Sequence, residues 1–342
     1  MEDHADSLIN PPRTQFSGPH IVATLGPASS EPKIWEAMLA AGASGFRLNT
    51  SHLSRDGLEC WLERLDEFLQ ERDALVVLDL QGSKWRLGQF EGREVVAGEQ
   101  VVLVLGKQAV GGSIPVPHAD FFTAAAQSDG EIILNDAKVW LRIERSDGER
   151  VIGRVSLGGP LGSKKGITLS QSNYRSERLS EKDQAIYHQA AGLDWVRYAL
   201  SYVKDGQEMV SYRERLGDRD DLIAKLEREP ALVDVQGIQE IAGELWLCRG
   251  DLGAELGMRR MAEAVHRFSQ GLKGVRVPVL LAGQVLEHMV TSATPTRSEV
   301  CCLYDGLKAG YAGVVLSDET AVGRYPVEAC TVARQFSLQQ SG

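Results

Sequence analysis

Short apolar runs take turns with amphipathic stretches along most of this chain, and that alternation constrains its fold more than any other feature. His20-Ile21-Val22-Ala23-Thr24-Leu25 reads as a buried strand ended by Gly26-Pro27-Ala28-Ser29-Ser30. A helix with a serine cap and a proline in its first turn is expected over Pro32 to Ala41, then a short strand at Gly45-Phe46-Arg47-Leu48. Leu58, Trp61, Leu62, Leu65, Phe68 and Leu69 recur at three- and four-residue steps, the period of one helix face. Ala74 to Leu80 is an apolar run broken only by Asp79, the mark of a strand covered on both faces.

After Gly88 the character changes. Runs at Val95-Val96, 101–105, 131–134, 139–143 and 150–155 read as strands separated by turn residues, with no helix of useful length between them. Alternation resumes at Ser180 and continues through helix–strand pairs at 181–191 and 195–200, 206–216 and 221–226, 232–242 and 245–249. It goes on through 259–272 and 279–282, 297–309 and 312–316, and a closing helix at 325–336. Eight strands lie outside the all-β stretch, and removing its 82 residues from 342 leaves 342 − 82 = 260. That is near the ~250 residues of a TIM barrel. The expected fold is therefore α/β, a (β/α)8 barrel formed by 18–87 and 170–342, with an all-β domain at 88–169 inserted after strand 3. Residues 1–17 read as a flexible N-terminal tail. An open doubly wound sheet would want a glycine-rich phosphate turn after its first strand, and none is there.

In such a barrel the chemistry sits where strands end. Those positions hold Arg47, Asn49, Asp79, Ser201, Lys225, Glu227, Asp251, Gln284, Ser317 and Glu319. Lys225, Glu227 and Asp251 meeting at one rim would suit a divalent metal beside a phosphate. Each has a plainer reading: Lys225-Leu226-Glu227 as a surface ion pair, and Arg47 as a partner that neutralises Asp79. A net charge of −10 argues against a nucleic-acid surface, and no apolar run reaches the ~18 residues of a membrane span. The acidic start Met1-Glu2-Asp3 is not a secretory signal, so the cytoplasm is the expected compartment. Five cysteines without metal-type spacing read as reduced thiols.

Seven stretches resemble motifs of the pyruvate kinase family, in that family's order and over residues 19 to 336. They are Ile21 to Ser29, Arg47-Leu48-Asn49-Thr50-Ser51-His52, Gly162-Ser163-Lys164-Lys165-Gly166, Leu179-Ser180-Glu181-Lys182-Asp183, Arg249-Gly250-Asp251-Leu252-Gly253, Pro295 to Glu299 and Leu316 to Ala321. The resemblance implies phosphoryl transfer from phosphoenolpyruvate, or a related phosphoenol acid, to ADP, giving pyruvate and ATP. It implies catalytic roles for Lys225 and Arg47, and Mg2+ (or Mn2+) on Glu227 and Asp251. Substrate would meet Arg47, Ser201, Lys225, Cys248, Arg249, Gly250, Asp251 and Gly283. A monovalent-cation site would use Asn49, Ser51, Asp79 and Leu80, with Lys84 as a replacement that makes potassium dispensable. Nucleotide would meet Asn49, His52, Arg86, Asp136, Lys164 and Lys165, under the inserted module acting as a β-barrel lid.

Several positions depart from the family pattern. Gly283 stands where the family generally has Thr beside the enol carbon, and Leu80, Gln81, Ser83 and Lys84 replace its Thr, Lys, Pro and Glu. Val300 to Asp305 and Asp318 also differ. A short form without the family's C-terminal allosteric domain is expected, with a homodimer as its assembly. A magnesium-dependent 2-oxo-acid lyase on the same barrel, or a catalytically silent homologue, are the alternatives.

Overall fold

The computed structural model describes residues 20–82, 84–135, 138–170, 179–217 and 221–337. Eight parallel strands close into a barrel: β1 (His20–Leu25), β2 (Gly45–Asn49), β3 (Leu75–Leu80), β4 (Val196–Leu200), β5 (Ile223–Leu226), β6 (Glu244–Cys248), β7 (Val279–Ala282) and β8 (Gly313–Leu316). Each strand pairs with its chain neighbours, and β1 closes the ring on β8 with His20 opposite Gly313. This is the (β/α)8 fold expected.

The strands read as apolar because both of their faces are covered. Outside the ring, Trp35, Phe46 and Phe68 pack under the helices, with the Trp35 and Phe68 rings edge to face at 5.2 Å. Inside it, Val22, Val77, Ala199, Ile223, Trp246, Leu280 and Val315 form a separate filling. The helix Arg55–Leu69 is capped by Ser54, whose side chain accepts from the Gly57 amide, and buries Leu58, Leu62 and Leu65 on one face. The helix Pro32–Ala40 instead takes Glu31 as its N-cap, with no side-chain cap bond, so the serine cap expected there is replaced by one residue further on.

The inserted module forms a seven-stranded sheet and a separate two-stranded pair, rather than a β-barrel, among the described residues. Trp85–Arg86 already belongs to that sheet, pairing with Gly166–Leu169, so the module begins before residue 88. It also contains a helix, Ala119–Ala126, where none was expected. Phe121 and Phe122 pin that helix to Trp85 and the module's core. The expected N-terminal tail lies outside the described residues. Among the described residues no helix is long and apolar enough to cross a membrane.

Candidate active site

Strand side chains alternate between faces, so the residue two along from an inward apolar position also points inward. Val77 is followed by Asp79, Ala199 by Ser201, and Ile223 by Lys225 and then Glu227. The interior filling is thus capped by a polar layer at the mouth.

That layer is a tight charge network. Asp79 accepts from Arg47 Nε at 2.8 Å and Ser201 Oγ at 3.0 Å, and its Oδ2 lies 2.6 Å from Arg47 Nη2 and 3.1 Å from Lys225 Nζ. Lys225 Nζ also reaches Glu227 Oε1 at 2.8 Å and donates to Ser201 Oγ at 2.9 Å. The other Glu227 oxygen accepts from the Tyr202 amide at 2.8 Å. Lys84 Nζ donates to Asp251 Oδ1 at 2.5 Å. Three cations thus meet three carboxylates, which is what lets a site this buried keep its charges.

Proton affinities follow from those contacts. Burial alone would raise the Asp79 carboxyl, but Lys225 and Arg47 outweigh it and bring it down to about 2. Burial would lower Lys225, yet Asp79 and Glu227 hold it firmly protonated. Glu227 is pushed up by burial and by the neighbouring Asp251, with Lys225 opposing. Asp251 is brought down by Lys84 against the burial that would raise it. Burial keeps the Cys248 thiol protonated, well above its usual range.

Glu227 and Asp251 offer two hard oxygen donors within each other's electrostatic reach. Among the described residues no group of three or more His, Cys, Asp or Glu gathers as a metal cage. Magnesium ordinarily takes one or two carboxylates and completes its shell from water and substrate oxygens, so these residues fit it. Both carboxylates already carry a lysine ammonium, which shows that the pocket is built to hold positive charge there.

Lys84 is the residue expected in place of a monovalent cation among Asn49, Ser51, Asp79 and Leu80. Asp79 is already neutralised by Arg47 and Lys225, and the Lys84 ammonium goes to Asp251. Gly283 has a backbone role at the end of β7. Its φ is 83°, and a Cβ there would stand 3.0 Å from the Gly250 amide nitrogen and 3.2 Å from that of Arg249. Glycine lets the end of β7 lie against the first turn of the helix Arg249–Leu256. The Arg249 side chain serves that contact, donating to Gly283 O at 2.7 and 3.0 Å and to Gln284 O at 2.9 Å.

On the module side, Arg86 donates to Ser51 Oγ at 2.9 Å and to Lys164 O at 3.0 Å, so a residue expected at the nucleotide meets one expected at the monovalent-cation site. Asn49 Oδ1 accepts from the Ser51 amide, and Leu80 O from the Ser201 amide. Lys164 is exposed and Lys165 half-buried. Asp136 and the His52 side chain lie outside the described residues. Sequence reasoning missed Lys182, which donates to Thr50 O at 2.7 Å and Ser51 O at 3.0 Å. Burial, then Lys164, lowers its pKa. Its neighbour Asp183 accepts from the Gln81 and Gly82 amides and so fixes the loop leading to Lys84. Both lie in the Leu179 to Asp183 motif, which was the available signal.

Fold and site together define a class: barrel phosphotransferases that gather lysines and metal-ready carboxylates at the strand ends beneath an inserted β module. Comparison with known proteins narrows it. The family model for the pyruvate kinase barrel domain matches residues 17–330. A pyruvate kinase of Methylorubrum extorquens is 34% identical over 326 residues, covering 93% of this chain and 68% of the relative. One of Agrobacterium vitis is 35% identical over 325 residues, covering 92% and 67%. The crystal structure of a pyruvate kinase from Cryptosporidium parvum has the same fold, with a TM-score of 0.82 at 22% identity over 93% of this chain and 68% of that one. The chain belongs to the pyruvate kinase family.

Proposed function

We propose that this protein transfers the phosphoryl group of phosphoenolpyruvate, or of a closely related phosphoenol acid, to ADP, giving the 2-oxo acid and ATP. The observation that carries this reading is the buried Lys225 ammonium, held between Asp79, Ser201 and Glu227 at the barrel mouth. A transferring phosphoryl group needs fixed positive charge along its path, and a lysine locked by three partners supplies it without reorganising. A 2-oxo-acid lyase would use the two carboxylates and have no need of this lysine.

Arg47, anchored on Asp79 and Thr24, would hold the phosphate of the donor acid. Backbone amides at the start of the helix Arg249–Leu256 would take its carboxylate. Arg86, Lys164, Lys165 and Lys182 would meet the polyphosphate of the nucleotide, with the module covering the site and excluding water. When bound at Glu227 and Asp251, Mg2+ or Mn2+ would add positive charge at the phosphoryl and enol oxygens. Gly283 brings no hydroxyl to the enol carbon, so the proton added there has to come from another donor, such as water.

The test is ATP formation from phosphoenolpyruvate, and from phosphoenol acids with larger enol ends, with ADP and Mg2+. Because Lys84 brings an ammonium of its own to the barrel mouth, activity is expected without potassium and little changed by adding it. Strong potassium activation would overturn that point. No ATP from any phosphoenol acid would overturn the function.

A further inference from the structure

Tyr202 stands two residues beyond β4 and ties three parts of the molecule together. Its backbone amide donates to Glu227 Oε2 at 2.8 Å, so it holds the carboxylate oxygen that Lys225 leaves open. Its carbonyl accepts from the buried Arg228, whose Nη1 lies 3.0 Å away. At the far end of the ring its hydroxyl lies 2.7 Å from Thr168 Oγ1. Thr168 belongs to the module strand Gly166–Leu169, and both side chains are buried. Thr168 hydrogen-bonds to neither Glu227 nor Asp251 among the described residues.

The backbone at Tyr202 has a φ of 63°, in the left-handed region that bulky L residues seldom adopt. Such a conformation persists where the surroundings hold it, and here the holds lie on both sides of the seam between barrel and module. A shift of Thr168 with the module pulls on the hydroxyl, and the left-handed backbone is the part that yields. The amide then moves relative to Glu227. Resting on the reading of Glu227 as a divalent-cation ligand, we propose that Tyr202 is a positioning residue that couples the seating of the module to the aim of the Glu227 carboxylate. Cation affinity thereby depends on a module hydroxyl outside the cation site. By linkage, a bound cation holds the module more firmly in return.

Mn2+ binding, followed by the electron paramagnetic resonance of free Mn2+ without nucleotide or substrate, tests this directly. Thr168→Val keeps the branched shape and lacks the hydroxyl, and Tyr202→Phe removes the other half of the pair. Each should weaken Mn2+ binding about fivefold, the lower end for coupled sites. The double variant should lose about as much as either single one, because the same bond is broken in all three. Thr168→Ser, which keeps a hydroxyl, should bind Mn2+ close to the native level. In the native chain, Mg2+ should slow amide hydrogen exchange across Gly166–Leu169, and this response should vanish in both single variants. Should Thr168→Val fail to fold, Tyr202→Phe carries the test, since it keeps the ring and the backbone. Native Mn2+ affinity in Tyr202→Phe would overturn the proposal, as would losses that add in the double variant or a Thr168→Ser variant as weak as Thr168→Val. The cation reading fails separately if Glu227→Gln binds Mn2+ as well as the native chain does.

Discussion

Asp79 joins three side chains of the site, touching Arg47, Ser201 and Lys225 at once. Its carboxyl is depressed from 3.8 to about 2, so its contribution to stability is complete above the unfolded value and is lost as pH falls through the folded one. The shift corresponds to about 2 kcal/mol. Stability of the native chain should therefore drop between roughly pH 4 and pH 2 by about that amount. In Asp79→Asn this part of the acid limb should be missing. The variant should also lose about 3–5 kcal/mol at neutral pH, because Arg47 and Lys225 keep buried charge without their anion. Urea unfolding across pH checks both, and an unchanged acid limb would contradict the pairing. Lys225 and Glu227 were legible from sequence because strand alternation fixes the face they share, and Asp251 because it follows closely on the end of β6. The partner of Lys84 was not, since it lies 167 residues away and depends on how the module's first strand leaves the barrel.

Among elements, the junction of β1 and β8 leaves no room for a side chain. A Cβ at Gly313 would lie 2.0 Å from the His20 carbonyl oxygen and 2.6 Å from its amide nitrogen, and backbone cannot step aside as a side chain tip can. Gly313→Ala should lower stability by about 1–3 kcal/mol or more through a widened β1–β8 seam. A denaturant midpoint equal to that of the native chain would show the seam to be slack. Long periodic elements were readable from sequence, and the short ones were not. Ala119–Ala126 has only two turns and is apolar at six of its eight positions, so no period stands out. The single helix expected over 232–242 is two, Glu229–Val233 and Val235–Gln239, divided at Asp234, where ψ turns to 35°. Arg249–Leu256 hides behind Arg-Gly-Asp-Leu-Gly, a stretch that reads as a turn until β6 is seen to end on it.

At the scale of the whole molecule, the barrel and the inserted module share their most polar residues across one seam, where Arg86 meets Ser51 and Lys84 meets Asp251. The outline of that arrangement followed from chain order: three strands, an all-β interruption, five more strands. Its closure did not, because the pairing of module strands turns on long-range registers that periodicity does not encode. The central claim is that Lys225 serves the phosphoryl group while Glu227 and Asp251 serve the enol end of the same substrate. Lys225→Met separates the two halves. Measured with Mg2+, the variant should lose phosphoryl transfer to ADP by about a thousandfold, the scale of a lost transition-state charge contact. Exchange of the 2-oxo acid's enolisable protons with solvent, which needs the carboxylates but not the lysine, should persist. ATP formation at a near-native rate in Lys225→Met would contradict the account.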